Sequence, residues 1–196
     1  MYLFLGVLAF VCALAFDLCS LKGSRWLKRI AGLASVVTFI YATTMVSWRG
    51  PKFSFPTWVI VLGWFLLGLS LFLLLYSLFI EIPFAQTYHQ PGTGDRLVTT
   101  GTYALSRHPG VLWFALFVIS LFLVSRSKQW LIAGPVWVLT DGIYAWIQDR
   151  YIFPLMFPSY ADYQRGTPML WPTKASMRRC MQTIGRKERA TSPPGN

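Results

Sequence analysis

One apolar run constrains this chain more than any other feature of its sequence. Residues 57–80 are 24 consecutive residues without a charged side chain. As an α-helix the run would measure ~36 Å at about 1.5 Å per residue, which exceeds the roughly 30 Å hydrocarbon core of a bilayer. The run therefore predicts a helix that spans a membrane.

The rest of the chain has the same character. Only 13% of its 196 residues are charged, whereas about 25% is usual for a soluble domain. This composition excludes a soluble enzyme, a disordered chain and a nucleic-acid-binding domain. Further apolar runs cover residues 2–21, 30–48, 111–124 and 130–148, and the run 111–124 is short unless it begins at Pro109. We predict an all-α, polytopic membrane bundle of about five transmembrane helices.

The basic residues predict the orientation of this bundle. No basic residue precedes the first run and four follow it, which is the reverse of a secretory signal, so we predict a retained first span. With five spans, fourteen Lys and Arg residues lie on the side of the first connector and four on the other. The positive-inside rule then places the N-terminus outside and the C-terminus in the cytoplasm.

A polar segment leads directly into the fourth run and contains candidate ligand-binding residues. Proline is favoured at the first helical position, so Pro109 predicts a helix start with His108 at the N-cap. A helix N-terminus attracts a carboxylate or phosphate, and Arg107 beside it offers a rigid fork of donors. The alternative is an arginine that anchors lipid headgroups and a histidine that only caps a helix.

A second group of polar residues ends the fifth run. Asp141, Tyr144, Gln148 and Asp149 are spaced i, i+3, i+7 and i+8, which places them along one helix face. Ionisable residues at membrane depth usually face the bundle interior and mark a functional cavity. The alternative is that Asp141 pairs with a basic neighbour.

The two segments resemble a known superfamily. The residues from Gly101 to Pro109 follow the pattern G-x-Y-x-x-x-R-H-P of the isoprenylcysteine carboxyl methyltransferase and phospholipid methyltransferase superfamily, small integral-membrane enzymes that use S-adenosylmethionine. The later pair of tyrosines, Tyr160 and Tyr163, and the run 168–172 resemble its C-terminal pattern, so the resemblance covers roughly residues 97–172. Asp149-Arg150 stands where the superfamily has two glutamates, and Pro158 stands where it has glycine.

The resemblance implies methyl transfer from S-adenosylmethionine to a lipid or small lipophilic acceptor. Arg107 would hold the carboxylate of the cofactor, and Asp149 would accept its ammonium or ribose hydroxyls. The implied cofactor-binding residues are Tyr103, Arg107, His108, Pro109, Gly110, Tyr144 and Asp149. The implied substrate pocket is formed by Asp141, Trp146 and Gln148. We expect no metal site.

Two alternatives and a division of the chain complete the interpretation. The chain resembles membrane reductases of the sterol-reductase kind in the same C-terminal architecture, and Arg150 with Arg165 would then bind the 2′-phosphate of NADPH. A non-catalytic membrane protein that keeps the fold is the third possibility. We divide the chain into three N-terminal helices (1–80), a methyltransferase-like core with two membrane helices (81–172) and a basic, disordered cytoplasmic tail (173–196).

The orientation is directly testable. A single cysteine introduced at Arg178 should react with a membrane-impermeant maleimide only after the membrane is permeabilised, because the basic asymmetry places the tail in the cytoplasm. Labelling of this cysteine in intact cells would contradict the predicted orientation.

Overall fold

The computed structural model describes residues 1–81 and 97–184, and every regular element in these two ranges is helical. Two of the longer α-helices continue into a π-helical turn, one at Tyr76–Glu81 and the other at Gln148–Ile152. The helices are α1 (Tyr2–Leu21), α2 (Arg25–Trp48), α3 (Thr57–Leu75), α4 (Thr102–Leu105), α5 (Pro109–Ser125), α6 (Trp130–Ile147), α7 (Phe153–Met156), α8 (Tyr160–Gly166) and α9 (Lys174–Thr183).

Four helical stretches are long and apolar enough to cross a membrane. They are Tyr2–Leu21, Arg25–Trp48, Thr57–Glu81 and Trp130–Met156. Their outward faces expose large apolar side chains, such as Leu33 and Phe65 at 67% each. A soluble monomer rarely exposes contiguous apolar surface on this scale. The all-helical, multi-pass membrane class predicted from the sequence is therefore confirmed, with four spans by these criteria.

The helix boundaries follow the apolar runs, with one marked difference at the start of α2. Helix α2 begins at Arg25, five residues before the run 30–48, because Lys and Arg are good helix formers and extend the helix beyond the apolar core. Helix α5 begins at Pro109, with His108 at its N-cap, as the sequence predicts. It has 17 residues and is the shorter apolar helix of the bundle.

Helix α6 holds the bundle together. Helices α1 and α2 pack as one pair, α3 and α5 as another, and α6 contacts both α1 and α5. Trp137 of α6 is fully buried in the core, where its indole N–H donates to the carbonyl of Leu3 at 3.0 Å and its ring packs against Phe39 and Trp130. One core therefore contains residues from both the 1–80 and 81–172 segments.

At the end of the bundle opposite the start of α5, two connectors are joined by a short clip. Lys52, between α2 and α3, forms an isolated antiparallel bridge with Ser127, between α5 and α6. The Phe53 N–H donates to the carbonyl of Arg126 at 2.7 Å, and the Lys128 N–H donates to that of Pro51 at 3.0 Å. The clip fixes the two helix pairs to each other at this end.

The C-terminal part of the described chain corrects one prediction. Disorder was predicted for 173–196, but Lys174–Thr183 forms helix α9. Thr173 and Ser176 make a capping box, in which each side chain accepts a hydrogen bond from the other residue's N–H at 3.1 and 2.9 Å. This cap satisfies helix-end donors that polar composition alone does not reveal. The predicted disorder of 191–196 lies outside the described residues.

The contact between α1 and α6 can be tested at a glycine. A Cβ added to Gly6 would overlap the Trp137 indole, which is fully buried and held by its hydrogen bond. Gly6→Ala should therefore lower the free energy of unfolding by about 1–3 kcal/mol, measured by denaturation in detergent micelles. Gly68→Ala is the matched control, because a Cβ there meets nothing within 4 Å. A Gly6→Ala protein as stable as the control would show that this contact is looser than described.

Candidate functional site

A cavity of about 440 Å³ lies at the end of the bundle where α1 and α3 end and α2 and α5 begin. Small-molecule sites typically enclose about 300–1,000 Å³. Most of its wall is apolar. The polar side chains that line it are Asp17, Ser20, Lys28, Tyr103, Arg107, His108, Asp141, Tyr144, Gln148, Tyr160 and Tyr163.

A carboxylate at the end of α3 positions the segment that carries the G-x-Y pattern. Glu81 accepts hydrogen bonds from the Thr102 N–H, at 2.8 Å, and from the Thr102 hydroxyl. Gly101 has a φ of +62°, and a Cβ on it would collide with the Glu81 carboxylate. Glycine is therefore required here for both its conformation and its size. The bond to Glu81 starts α4 and places Tyr103 in the cavity wall.

The centre of the site is a buried ion pair between Arg107 and Asp149. The Arg107 Nε and Nη2 donate to the two carboxylate oxygens of Asp149 at 2.8 and 2.9 Å, and both side chains are 10% exposed. Arg107 Nη1 donates to the carbonyls of Gln164 and Thr167 at 3.0 and 2.5 Å. Arg107 thus binds three parts of the chain through a bidentate pair and two backbone bonds.

Further donors complete the shell around Asp149. The Tyr160 hydroxyl donates to its Oδ1 at 2.6 Å, and Gln164 Nε2 donates to its Oδ2 at 3.1 Å. Burial, followed by the hydrogen bond and charge of Asp149, raises the pKa of Tyr160 far above its usual range. Burial lowers the pKa of Arg107, but the hydrogen bond and charge of Asp149 outweigh it and raise that pKa. Tyr160 therefore stays protonated and Arg107 stays charged.

This geometry differs from the arrangement implied for Arg107 and Asp149. The two were expected to hold opposite ends of the cofactor, but they bind each other. Arg107 lines the cavity with most of its donors already engaged, and Asp149 is buried behind it, outside the cavity lining. The physical reason is that a buried carboxylate needs a cation and several donors, and Arg107 with Tyr160 supplies them.

His108 lies between the ion pair and the cavity. Its imidazole is buried, stacks on the Phe153 ring at 5.5 Å between centroids, and lines the cavity. Its Nε2 is 3.5 Å from Asp149 Oδ1 and has no hydrogen-bond partner among the described residues. The side chain does not cap α5, although His108 occupies the N-cap position. An unsatisfied buried nitrogen of this kind calls for an explanation, and a ligand in the cavity would provide one.

A second polar cluster lies on another wall of the cavity. The Tyr144 hydroxyl and Gln148 Nε2 donate to Asp17 Oδ2 at 2.6 and 2.8 Å. Asp17 lies near the end of the first apolar run, close in sequence to Lys22 and Arg25, and this spacing favours an ion pair with one of them. The structure instead pairs it with α6, across the bundle. The sequence alone could have predicted a contact of this kind, because a carboxylate at membrane depth faces inward and needs donors on a facing helix.

The polar stripe on α6 is present only in part. Asp141, Tyr144 and Gln148 line the cavity, and the carboxylate of Asp141 has no hydrogen bond or salt bridge to any residue in 1–81 or 97–184. Asp149 does not share this face, because at about 100° per residue it lies about 140° around the helix from Tyr144 and about 100° from Gln148. Its carboxylate contacts Arg107 instead of lining the cavity.

Trp146 lies outside the cavity, unlike the other two residues predicted for the substrate pocket. It is half-exposed, packs edge-on against Tyr151 with centroids 5.7 Å apart, and does not line the cavity. It lies two residues from Tyr144, on the opposite side of α6, as the helical period requires. It therefore lies outside this cavity, and its predicted place in the substrate pocket stays a prediction. The remaining predicted residues all line the cavity: Tyr103, Arg107, His108, Pro109, Gly110, Asp141, Tyr144 and Gln148.

The chain was compared with protein-family models, with curated proteins and with solved structures, and none of these matches it. The superfamily membership implied by residues 101–109 and 157–172 thus stays a prediction. What the structure adds is the arrangement of these residues around one cavity.

The buried ion pair predicts that the stability of the protein is unusually sensitive to one substitution. Arg107→Ala should lower the free energy of unfolding by about 3–5 kcal/mol, because it leaves the buried Asp149 carboxylate without its cation. Arg165→Ala is the matched control. It breaks the exposed pair with Asp162 and should cost less than about 1 kcal/mol. Denaturation of both variants in detergent provides the measurement. Equal stability of the two variants would exclude a structural role for the Arg107–Asp149 pair.

Proposed function

We propose that this chain is an integral-membrane methyltransferase that transfers a methyl group from S-adenosylmethionine to a lipid or small lipophilic acceptor. The observation that carries the proposal is the cavity at one end of the bundle, which the G-x-Y-x-x-x-R-H-P segment lines with Tyr103, Arg107, His108 and Pro109. The same cavity is lined by carboxylates and aromatic rings from α1 and α6.

The proposal includes a fifth span and an orientation. Helix α5 measures ~25 Å at about 1.5 Å per residue, which is at the short end of the range for a transmembrane helix. It packs between α3 and α6, two of the stretches long enough to cross the membrane. With the N-terminus outside, the cavity opens at the cytoplasmic end, where the cofactor is available.

The residues around the cavity suit the chemistry of this cofactor. S-adenosylmethionine carries a sulfonium and an ammonium, and Asp17 and Asp141 would supply the matching negative charge. The rings of Tyr103 and Tyr144 would add cation–π attraction. With Arg107 engaged by Asp149, the carboxylate of the cofactor would meet the Gly110 N–H at the start of α5, where the helix dipole favours an anion.

The bound cofactor would supply an electrophilic methyl group that is displaced in line by the acceptor. The protein then needs no nucleophile of its own. Its contribution is alignment of the two reactants and exclusion of water, and the largely apolar wall serves both. Leu78, Phe153 and Met156 form part of this wall, and the acceptor would enter past such residues from the bilayer.

A non-catalytic membrane protein with the same fold is the second candidate. The observation that favours it is the Arg107–Asp149 pair, which uses within the protein the two charges expected to bind the cofactor. The reductase alternative has less support, because Arg150 is exposed and Arg165 forms an exposed pair with Asp162. Neither arginine lines the cavity.

Ligand binding to the purified protein distinguishes these candidates. Calorimetry in detergent should detect S-adenosylmethionine binding and no NADPH binding. Gly110→Leu should weaken the S-adenosylmethionine affinity at least about tenfold, because a side chain at this lining position enters the cavity without meeting protein atoms near its Cβ. Gly142→Leu is the matched control, since its Cβ also meets nothing within 4 Å and Gly142 does not line the cavity.

The other possible binding results distinguish between the candidate functions. NADPH binding by the wild-type protein would favour the reductase, and binding of neither compound would favour the non-catalytic protein. Equal S-adenosylmethionine affinities of Gly110→Leu and wild type would leave the activity possible but exclude this cavity as its site.

A further inference from the structure

Helix α9 has two faces of different chemistry. Ser176, Cys180 and Thr183 lie on the side that contacts the rest of the protein, whereas Met177 and Met181 are exposed, Met181 at 73%. The spacing of these two methionines, i and i+4, places them on one face. Ile184, which follows the helix, is also exposed. The exposed side of α9 therefore carries an apolar stripe formed by Met177 and Met181.

Cations flank this apolar stripe. Lys174 and Arg178 are exposed one turn apart and lie beside Met177 and Met181. Helix α9 contains no acidic residue. A helix that presents an apolar stripe with Lys and Arg beside it is typical of helices that lie in a membrane interface.

Contacts with the bundle place α9 next to the end of a span. The Gly101 N–H donates to the Thr183 hydroxyl at 3.0 Å, and the neighbouring Thr102 is bound by Glu81, the last residue of a stretch long enough to cross the membrane. Arg179 donates to the carbonyl of Gly166 and holds α9 to the end of α8. Trp171, which precedes α9, is 80% exposed, as is common for aromatic residues at the interface.

We propose that the exposed face of α9 docks on an anionic lipid surface, with Met177 and Met181 below the headgroups and with Lys174 and Arg178 among the phosphates. The charge complementarity and the position beside the end of α3 carry this inference. It does not depend on the proposed methyltransferase activity. A protein partner, or a second copy of this chain, would need no anionic lipid, which separates those occupants from a lipid surface.

The test uses the full chain in lipid nanodiscs. Single nitroxide labels are placed at Met181 and at Gln182 in a background in which Cys12, Cys19 and Cys180 are replaced by alanine. Gln182 is the control, because it lies about 100° around the helix from Met181 and is also exposed. The accessibility of each label to oxygen and to a water-soluble nickel complex is compared in phosphatidylcholine discs and in discs with 30% phosphatidylglycerol.

We expect the oxygen-to-nickel accessibility ratio at 181 to rise several-fold when phosphatidylglycerol is present and the ratio at 182 to change little. Lys174→Gln with Arg178→Gln should shift the docking equilibrium by roughly thirtyfold and abolish the rise, whereas Lys174→Arg with Arg178→Lys should retain it. Equal ratios at 181 in the two lipid mixtures, or equal changes at 181 and 182, would overturn the proposal.

Discussion

The arrangement of the cavity end of the bundle depends on one buried ion pair. Arg107 comes from the linker before α5 and Asp149 from the extension of α6, and their bidentate contact joins segments 42 residues apart. Two charges at this depth are costly unless each is surrounded by partners. Tyr160 and the backbone carbonyls of Gln164 and Thr167 provide them, so that the pair also fixes α8 and its C-terminal connection. The charges and hydrogen-bonding groups of this ion pair are thus satisfied within the protein, beside the cavity wall.

The apolar runs were sufficient to predict the long helices of the bundle because, in a membrane, a continuous uncharged segment has few alternatives to a helix. The start of α5 at Pro109 and the polar lining from Asp141 to Gln148 followed from local rules as well. The position of Asp149 did not, because its partner Arg107 lies 42 residues away in the chain and no local pattern encodes this contact. The same holds for Asp17, whose partners are on α6, more than 120 residues later in the chain. The sequence predicted which residues gather at this end, but not which of them bind each other.

The three aspartates near the cavity therefore have different chemical environments. Asp149 is matched by a cation and two further donors, and Asp17 is matched by the neutral donors of Tyr144 and Gln148. Asp141 faces the cavity with no such donor from the described chain. A carboxylate in an apolar wall is costly without a partner. Among the three, Asp141 is the one whose carboxylate has no hydrogen bond or salt bridge within residues 1–81 and 97–184, and it lies outside the G-x-Y-x-x-x-R-H-P segment.

The clip between Lys52 and Ser127 gives the bundle a mechanical asymmetry. It joins the two helix pairs at one end, while the cavity separates helices at the other. If one helix pair tilts relative to the other about the clip, the displacement is therefore largest at the cavity end. A tilt of about 5° over a stretch of ~37 Å, the length of Thr57–Glu81 at about 1.5 Å per residue, moves its cavity end by roughly 3 Å. Small rotations at the clip would therefore change the width of the bundle at its cavity end.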